Sequence, residues 1–306
     1  MRTRHALVTG AAGFIGRHVC RHLAQLGWTV HGIGHGRLSP SERKRWGIDQ
    51  WRSSDITLSS LRRLHVRLDA IIHCAGGNSV AHSLAHPADD FHRNVTSLLQ
   101  VLEYVRLASP GACVVYPSSA AVYGDASDEP LPETAPAQPV SPYGVHKRIA
   151  EELCRSYGAH YGVATTVIRL FSVYGPGLRR QLWWDACRKA VHGERTFWGT
   201  GKEIRDWLHV NDAAALLCLA IANASGGCPI VNGGSGTGVA VDMIVRTIFR
   251  AFHIKETPCF TGGQRPGDPL HYRADIRRAA EWGWSPGYRW EEGLSAYVEW
   301  FRSLRS

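Results

Sequence analysis

Three glycines at three-residue spacing constrain this chain more than any other feature. They lie in Val8-Thr9-Gly10-Ala11-Ala12-Gly13-Phe14-Ile15-Gly16. Ahead of them, Ala6-Leu7-Val8-Thr9 reads as a short buried strand. Behind them, residues 15–26 place Val19, Leu23 and Leu26 on one helical face, and Gly27 closes the helix. A strand that turns on glycines straight into a helix lets the backbone approach a pyrophosphate. The first helical N–H groups then face the phosphate charge. The segment therefore predicts a dinucleotide-binding turn with Gly10, Gly13, Phe14, Ile15 and Gly16 at the ligand.

The first half of the chain continues the alternation. Strand patterns occur at 29–33, 68–75, 113–116 and 164–170, and helical patterns at 87–107 and 142–160. This rhythm predicts an α/β fold, a Rossmann-type doubly wound parallel sheet with helices on both faces. After Leu170 glycine and proline recur. Short sheet elements are expected in 196–207 and 228–241, and helices in 241–252 and 291–304. The second half reads as a smaller mixed α/β domain.

Composition narrows the function classes. Of 306 residues, 44% are hydrophobic and 20% charged, which is globular rather than disordered. The net charge of +9 comes from scattered residues, so neither nucleic acid nor a membrane is expected as a partner. No apolar run is long enough to cross a bilayer, and no secretory leader is visible at Met1 to His5. Eight cysteines are present with no C-x-x-C pair, which predicts reduced thiols and a cytoplasmic setting. The sixteen histidines show no metal-ligand spacing, so no metal is assigned.

The end of the second strand reads Ile33-Gly34-His35-Gly36-Arg37. Folds that prefer NAD usually carry a carboxylate there for the ribose hydroxyls. Its absence, with His35 and Arg37 available to a 2′-phosphate, favours NADP over NAD. Asp55, with Ile56 beside it, follows a third strand and suits the adenine amino group; a plain turn aspartate is the alternative. Tyr143 and Lys147 stand four residues apart and share a helix face. A nearby ammonium and a cationic nicotinamide are expected to pull the phenol below its ordinary value near 10. Ser119, in Pro117-Ser118-Ser119-Ala120-Ala121-Val122-Tyr123-Gly124, closes a sheet strand, where such sheets bind ligands.

Together these motifs resemble the extended short-chain dehydrogenase/reductase superfamily, in its nucleotide-sugar epimerase/dehydratase branch. The resemblance spans nearly the whole chain. It includes Ser119, Tyr143 and Lys147, His73-Cys74-Ala75-Gly76, and Asn94 in Arg93-Asn94-Val95. It continues through residues 169–176, 205–213 and Arg265-Pro266-Gly267-Asp268. It implies catalysis by Ser119, Tyr143 and Lys147, and a cofactor site that includes Cys74, Ala75, Gly76 and Asn94. Arg205 and Arg265 are implied to bind a nucleotide diphosphate and Asp268 its ribose. It also implies an NAD(P)-binding domain over 1–171, to which a segment near 206–232 returns, and a mainly nucleotide-sugar-binding domain over 172–306.

Departures from the family pattern matter as much. Dehydratases of the branch carry Thr-Asp-Glu where this chain has Ser119-Ala120-Ala121, and alanine transfers no proton. Ser172 replaces an asparagine that contacts substrate. Tyr272 matches a position whose bulk limits room for an N-acetyl group. The expectation is a nucleotide-sugar epimerase acting at C4 of the hexose through a 4-keto intermediate. An NADPH-dependent 4-keto-sugar reductase is the alternative, and a non-catalytic dinucleotide-binding regulator a remote one. The resemblance further implies surface-polysaccharide precursor synthesis and a homodimer paired through helices 87–107 and 143–160. Trp183, Trp184 and Trp198 are expected in the core or an interface, with stacking on a base or sugar as the other option.

Overall fold

Apolar residues in the strands of the first half alternate between two separate cores. Ala6, Val8, Ala70, Ile72 and Val115 enter one, and Leu7, Ile71, Val114 and Tyr116 enter the other. This is how a parallel sheet covered on both faces must behave, because successive side chains point to opposite sides. The computed structural model describes residues 3–77, 79–125, 129–263 and 270–304.

In chain order the strands begin with β1 (His5–Thr9), β2 (Thr29–Gly34), β3 (Gln50–Ser53), β4 (Ala70–His73), β5 (Cys113–Ser119) and β6 (Thr165–Leu170). They continue with β7 (Ser172–Tyr174), β8 (Thr196–Phe197), β9 (Ile204–His209), β10 (Ile230–Gly233), β11 (Gly238–Ala240) and β12 (Cys259–Phe260). Seven form one sheet in the order β10-β6-β5-β4-β1-β2-β3. Every pairing in it is parallel. The winding reverses between β1 and β4, and ligands of such sheets lie outside the strand C-termini at that reversal. Smaller sheets, β11-β9-β7 and β12-β8, stand beyond it.

Within the 228–241 stretch, expected as small sheet elements, β10 joins the large sheet beside β6, at the end of the segment near 206–232 expected to return to the first domain. Ahead of it, helix Val210–Leu219 packs on helix Phe14–Gln25. That helix is buried nearly all round, with Val210, Ala213, Ala214, Leu216 and Leu217 in the core, so it carries no amphipathic period to read. The helix expected over 87–107 is built as Pro87–Phe91, a π-turn at His92–Thr96, and Ser97–Ala108. Such turns concentrate near functional sites.

The second half has an aromatic core. Trp183 is fully buried and stacks on Tyr174 with ring centroids 4.1 Å apart. Tyr297 Oη donates to the Leu178 carbonyl at 2.6 Å. Trp184 packs against Phe301.

Candidate active site

The turn after β1 is as tight as its glycines require. Gly10 has φ +64°, and a Cβ there would lie 2.8 Å from the Ala75 nitrogen. A Cβ on Gly16 would run into the Gly10 carbonyl. The β1 and β4 ends are tied together as well. Thr9 Oγ1 accepts from the Ala75 N–H at 3.1 Å and lies 2.8 Å from His73 Nδ1. Burial pushes the His73 imidazole down to about 3, so the ring is neutral and works as a structural hydrogen-bonding group. The first turn of helix Phe14–Gln25 starts at Gly13 with no side-chain cap among the described residues and lines the cleft, so a dinucleotide phosphate fits there.

A cleft of about 950 Å³ runs from this turn, across the C-terminal ends of the central strands, to the second lobe. Gly13, Phe14, Ile15, Gly16, Cys74, Ala75 and Gly76 line it at one end. Gly10, His35, Arg37, Asp55, Ile56 and Asn94 are not among its lining residues. Asn94 is buried behind Gly76, in the π-turn, and donates to the Asp90 backbone carbonyl at 3.1 Å.

At the end of β2 the expected absence of a carboxylate is only a fact of sequence. His35 Nε2 lies 2.6 Å from Asp55 Oδ1, so the loop after β3 brings an acid beside the histidine. Ser60 Oγ donates to the Asp55 carbonyl at 2.6 Å, which holds that loop. Ile56 packs on the sheet, and Arg37 is exposed.

Ser119, Tyr143 and Lys147 converge. Ser119 closes β5, and Tyr143 lies in the first turn of helix Pro142–Tyr161, capped by Ser141 Oγ accepting from the Gly144 N–H at 3.2 Å. Tyr143 and Ser119 line the same part of the cleft, and the Ser119 side chain acts on the Tyr143 phenol. One turn along, Lys147 Nζ donates to the Pro117 carbonyl at 3.0 Å and lies 4.7 Å from the Tyr116 ring centre. The expected lowering of the phenol is not found among the protein's own groups. Burial pushes Tyr143 up to about 12, with the Ser119 side chain acting in the opposite sense. Burial likewise brings Lys147 down to about 8, against the pull of Asp90. Lys147 Nζ stands 5.8 Å from the Tyr143 ring centre and is aimed at the backbone rather than the phenol.

Two buried ionic groups behind this site escape sequence reasoning. Glu151 pairs with Arg169 at 2.7 Å and accepts from Ser118 Oγ at 2.6 Å. Asp90 pairs with His146 at 2.7 Å. The first had a readable signal: Glu151 continues the Tyr143–Lys147 helix face, and Arg169 interrupts an apolar strand. The second had none, because its members are far apart in sequence.

On the opposite side the cleft is lined by Ser172, Arg205, Tyr272, Phe171 and Trp198. The Arg205 guanidinium lies 5.8 Å from the Tyr272 ring centre and donates to the Ile204 carbonyl at 2.9 Å. Tyr272 Oη donates to the Gly124 carbonyl at 3.0 Å, and its ring packs edge-on against Phe171, so it is a fixed wall. Trp198 is half-exposed along the cleft, unlike Trp183 and Trp184, which pack inside the second lobe. Arg265 and Asp268 lie outside the described residues. Among the described residues no cluster suited to a metal ion occurs, and no helix is long and apolar enough to cross a membrane.

Known proteins are similar to this chain over nearly its whole length. The chain is 32% identical over 331 residues to a UDP-glucose 4-epimerase of Azospirillum brasilense, covering 97% of this chain and 92% of that one. A crystal structure of UDP-glucose 4-epimerase with UDP-glucose, from Thermotoga maritima, matches with a TM-score of 0.89 at 28% identity, over 99% of this chain and 100% of that one. The UDP-glucuronic acid 4-epimerase of Bacillus cereus, in complex with UDP-glucuronic acid and NAD, matches with a TM-score of 0.89 at 26% identity, over 98% and 99% of the two chains. The model of the NAD dependent epimerase/dehydratase family matches residues 6–233. That match runs from within β1 to the last residue of β10 and encloses the whole parallel sheet, so the chain belongs to the NAD dependent epimerase/dehydratase family.

Proposed function

We propose that this protein is a UDP-hexose 4-epimerase that works with a retained NAD. One observation carries the reading: Ser119, Tyr143 and Lys147 line one cleft together at the strand ends, with Lys147 one helical turn from Tyr143. Tyr143 takes the proton of the C4 hydroxyl at its Oη, and Ser119 orients that oxygen. The nicotinamide, when bound, supplies a reversible hydride acceptor. Lys147 would hold the cofactor's ribose, and its ammonium would act against the upward push of burial on Tyr143. Inversion requires the flat 4-keto sugar to turn over, and a cleft of about 950 Å³ closed by the second lobe holds it meanwhile.

Nothing at Ala120 and Ala121 can move a proton, which sets the reaction apart from dehydration. Arg205, Ser172, Arg265 and Asp268 are assigned to the nucleotide diphosphate end, and the division near residue 171 to the boundary between cofactor and substrate halves. Tyr272, held rigidly, favours a hexose without an N-acetyl group. The Asp55 carboxylate beside His35 opposes a 2′-phosphate and favours NAD. Exposed Arg37 supports the second reading, an NADPH-dependent 4-keto-sugar reductase.

Exposed apolar Leu84, Phe91, Val145 and Ile149, on the helices around the site, support pairing of two copies through that face. The eight unpaired thiols agree with a cytoplasmic setting.

The test is to denature the purified protein, weigh any released dinucleotide, and follow UDP-glucose to UDP-galactose conversion by NMR. Stoichiometric NAD with conversion supports the epimerase. An empty protein that takes up NADPH over NADH and leaves UDP-glucose unchanged defeats it in favour of the reductase.

A further inference from the structure

Asp90, on helix Pro87–Phe91, is fully buried. His146 Nδ1 lies 2.7 Å from its Oδ2, and a carboxylate only accepts, so the imidazole donates. The other oxygen, Oδ1, is buried with no hydrogen-bond partner among the described residues. It faces the cofactor loop, where a Cβ on Gly77 would lie 2.5 Å away. Phe91 stands edge-on to the His146 ring at 5.4 Å and covers the pair. His146 immediately precedes Lys147, so the pair joins the cofactor loop to the helix that carries Tyr143 and Lys147.

A buried carboxylate needs a positive neighbour. The groups acting on Lys147 are Asp90, Glu151, the Cys74 and Cys154 thiols, neutral His73 and the rings of Tyr116 and Tyr143. Glu151 is held by Arg169 and Ser118. Both Glu151 oxygens are engaged, whereas Asp90 keeps Oδ1 buried without a hydrogen-bond partner among the described residues, so Asp90 is the acid left to answer the lysine, on which its influence is upward. It acts on Tyr143 in the same upward sense.

We propose that Asp90, locked in place by His146, is a positioning residue whose buried carboxylate keeps Lys147 charged and sets the pH range over which Tyr143 and Lys147 work. The proposal rests on the reading of those two residues as the working pair.

The signs follow directly. Removing a negative charge favours the neutral amine of Lys147 and the phenolate of Tyr143. Both limbs of the pH–rate bell then move toward acid. In Asp90→Asn, kcat for UDP-glucose is expected to fall about tenfold on the alkaline side, with both limbs shifted by about one pH unit. His146→Ala moves them the same way, and His146→Asn, which keeps a donor near Nδ1, restores the profile. A second measurement needs no turnover: the near-ultraviolet tyrosinate titration of the NAD-saturated protein, with Tyr143→Phe as blank. Tyr143 is expected to titrate at lower pH in Asp90→Asn.

A rate that drops while both limbs and the tyrosinate titration stay in place overturns the proposal. If Asp90→Asn does not fold, the His146→Ala and His146→Asn pair decides by the same criterion. If the wild type leaves UDP-hexoses unchanged, the epimerase reading fails, and the tyrosinate titration still decides the role of Asp90.

Discussion

Arg169 Nη2 lies 2.7 Å from Glu151 Oε2 inside the protein, with both side chains nearly inaccessible to solvent. Arg169 Nε adds a bond to Glu151 Oε1 at 3.0 Å, so the guanidinium grips the carboxylate with two nitrogens. The pair lies one helical turn beyond Lys147 and joins β6 to the helix that carries it. Removing one partner strands a buried charge. Arg169→Met is expected to destabilise the fold by about 3–5 kcal/mol, and Arg169→Met with Glu151→Leu by clearly less. Urea unfolding of the two single variants and the double variant measures both. A double variant as unstable as the sum of the singles would contradict this account.

Tyr143 predicts a different signature. Its side chain lines the cleft with Ser119, and its backbone N–H is held by Ser83 Oγ at 3.1 Å, so a phenylalanine keeps the helix start intact. Tyr143→Phe should lower kcat by about 10²–10⁴-fold, the usual scale for a positioned acid or base. NAD affinity should stay within a few-fold. Turnover by NMR and NAD titration by fluorescence separate the two effects.

What was legible from sequence divides along chain distance. The glycine turn, the Tyr143–Lys147 face and the Ser119 strand end are each written in one short segment, and local geometry follows from local sequence. His35 with Asp55, Asp90 with His146, and Glu151 with Arg169 are pairs made only when the sheet winds. The residues of the first two pairs look like surface charges until a partner arrives, whereas Arg169 already interrupts an apolar strand. The phenol of Tyr143 shows the same limit, because burial, which sets its upward shift, belongs to the packed helix and not to the motif. Helix Val210–Leu219 was hidden for another reason: apolar on nearly every side, it has no polar face to define a period.

His73 makes the fold itself sensitive to acid. In the unfolded chain its imidazole titrates near 6.5, while burial holds it near 3 in the fold. Between those values the unfolded chain binds the extra proton, so stability drains as pH falls below about 6.5. His209, pushed by burial to about 4, works in the same direction. The urea midpoint should therefore fall between pH 7 and about pH 5. His73→Asn, which retains a donor toward Thr9, should flatten that slope even if it lowers stability at neutral pH. An unchanged slope in the variant would exclude His73 as a source.

Tyr272 governs what the sugar may carry at C2 in the proposed reaction. Its hydroxyl is tied to the Gly124 carbonyl and its ring is braced by Phe171, so it cannot swing aside for a larger substrate. Steric exclusion of a single substituent by a fixed wall is worth about 1–3 kcal/mol, or 10–200-fold in specificity. Tyr272→Ala should raise the kcat/KM ratio of UDP-N-acetylglucosamine to UDP-glucose by about tenfold or more. The loss of the ring beside Arg205 acts on the diphosphate that both sugars share, so it lowers both and leaves the ratio to the C2 group. Competition between the two sugars in one NMR sample reads the ratio directly. A ratio unchanged by the substitution would place the C2 substituent elsewhere in the cleft.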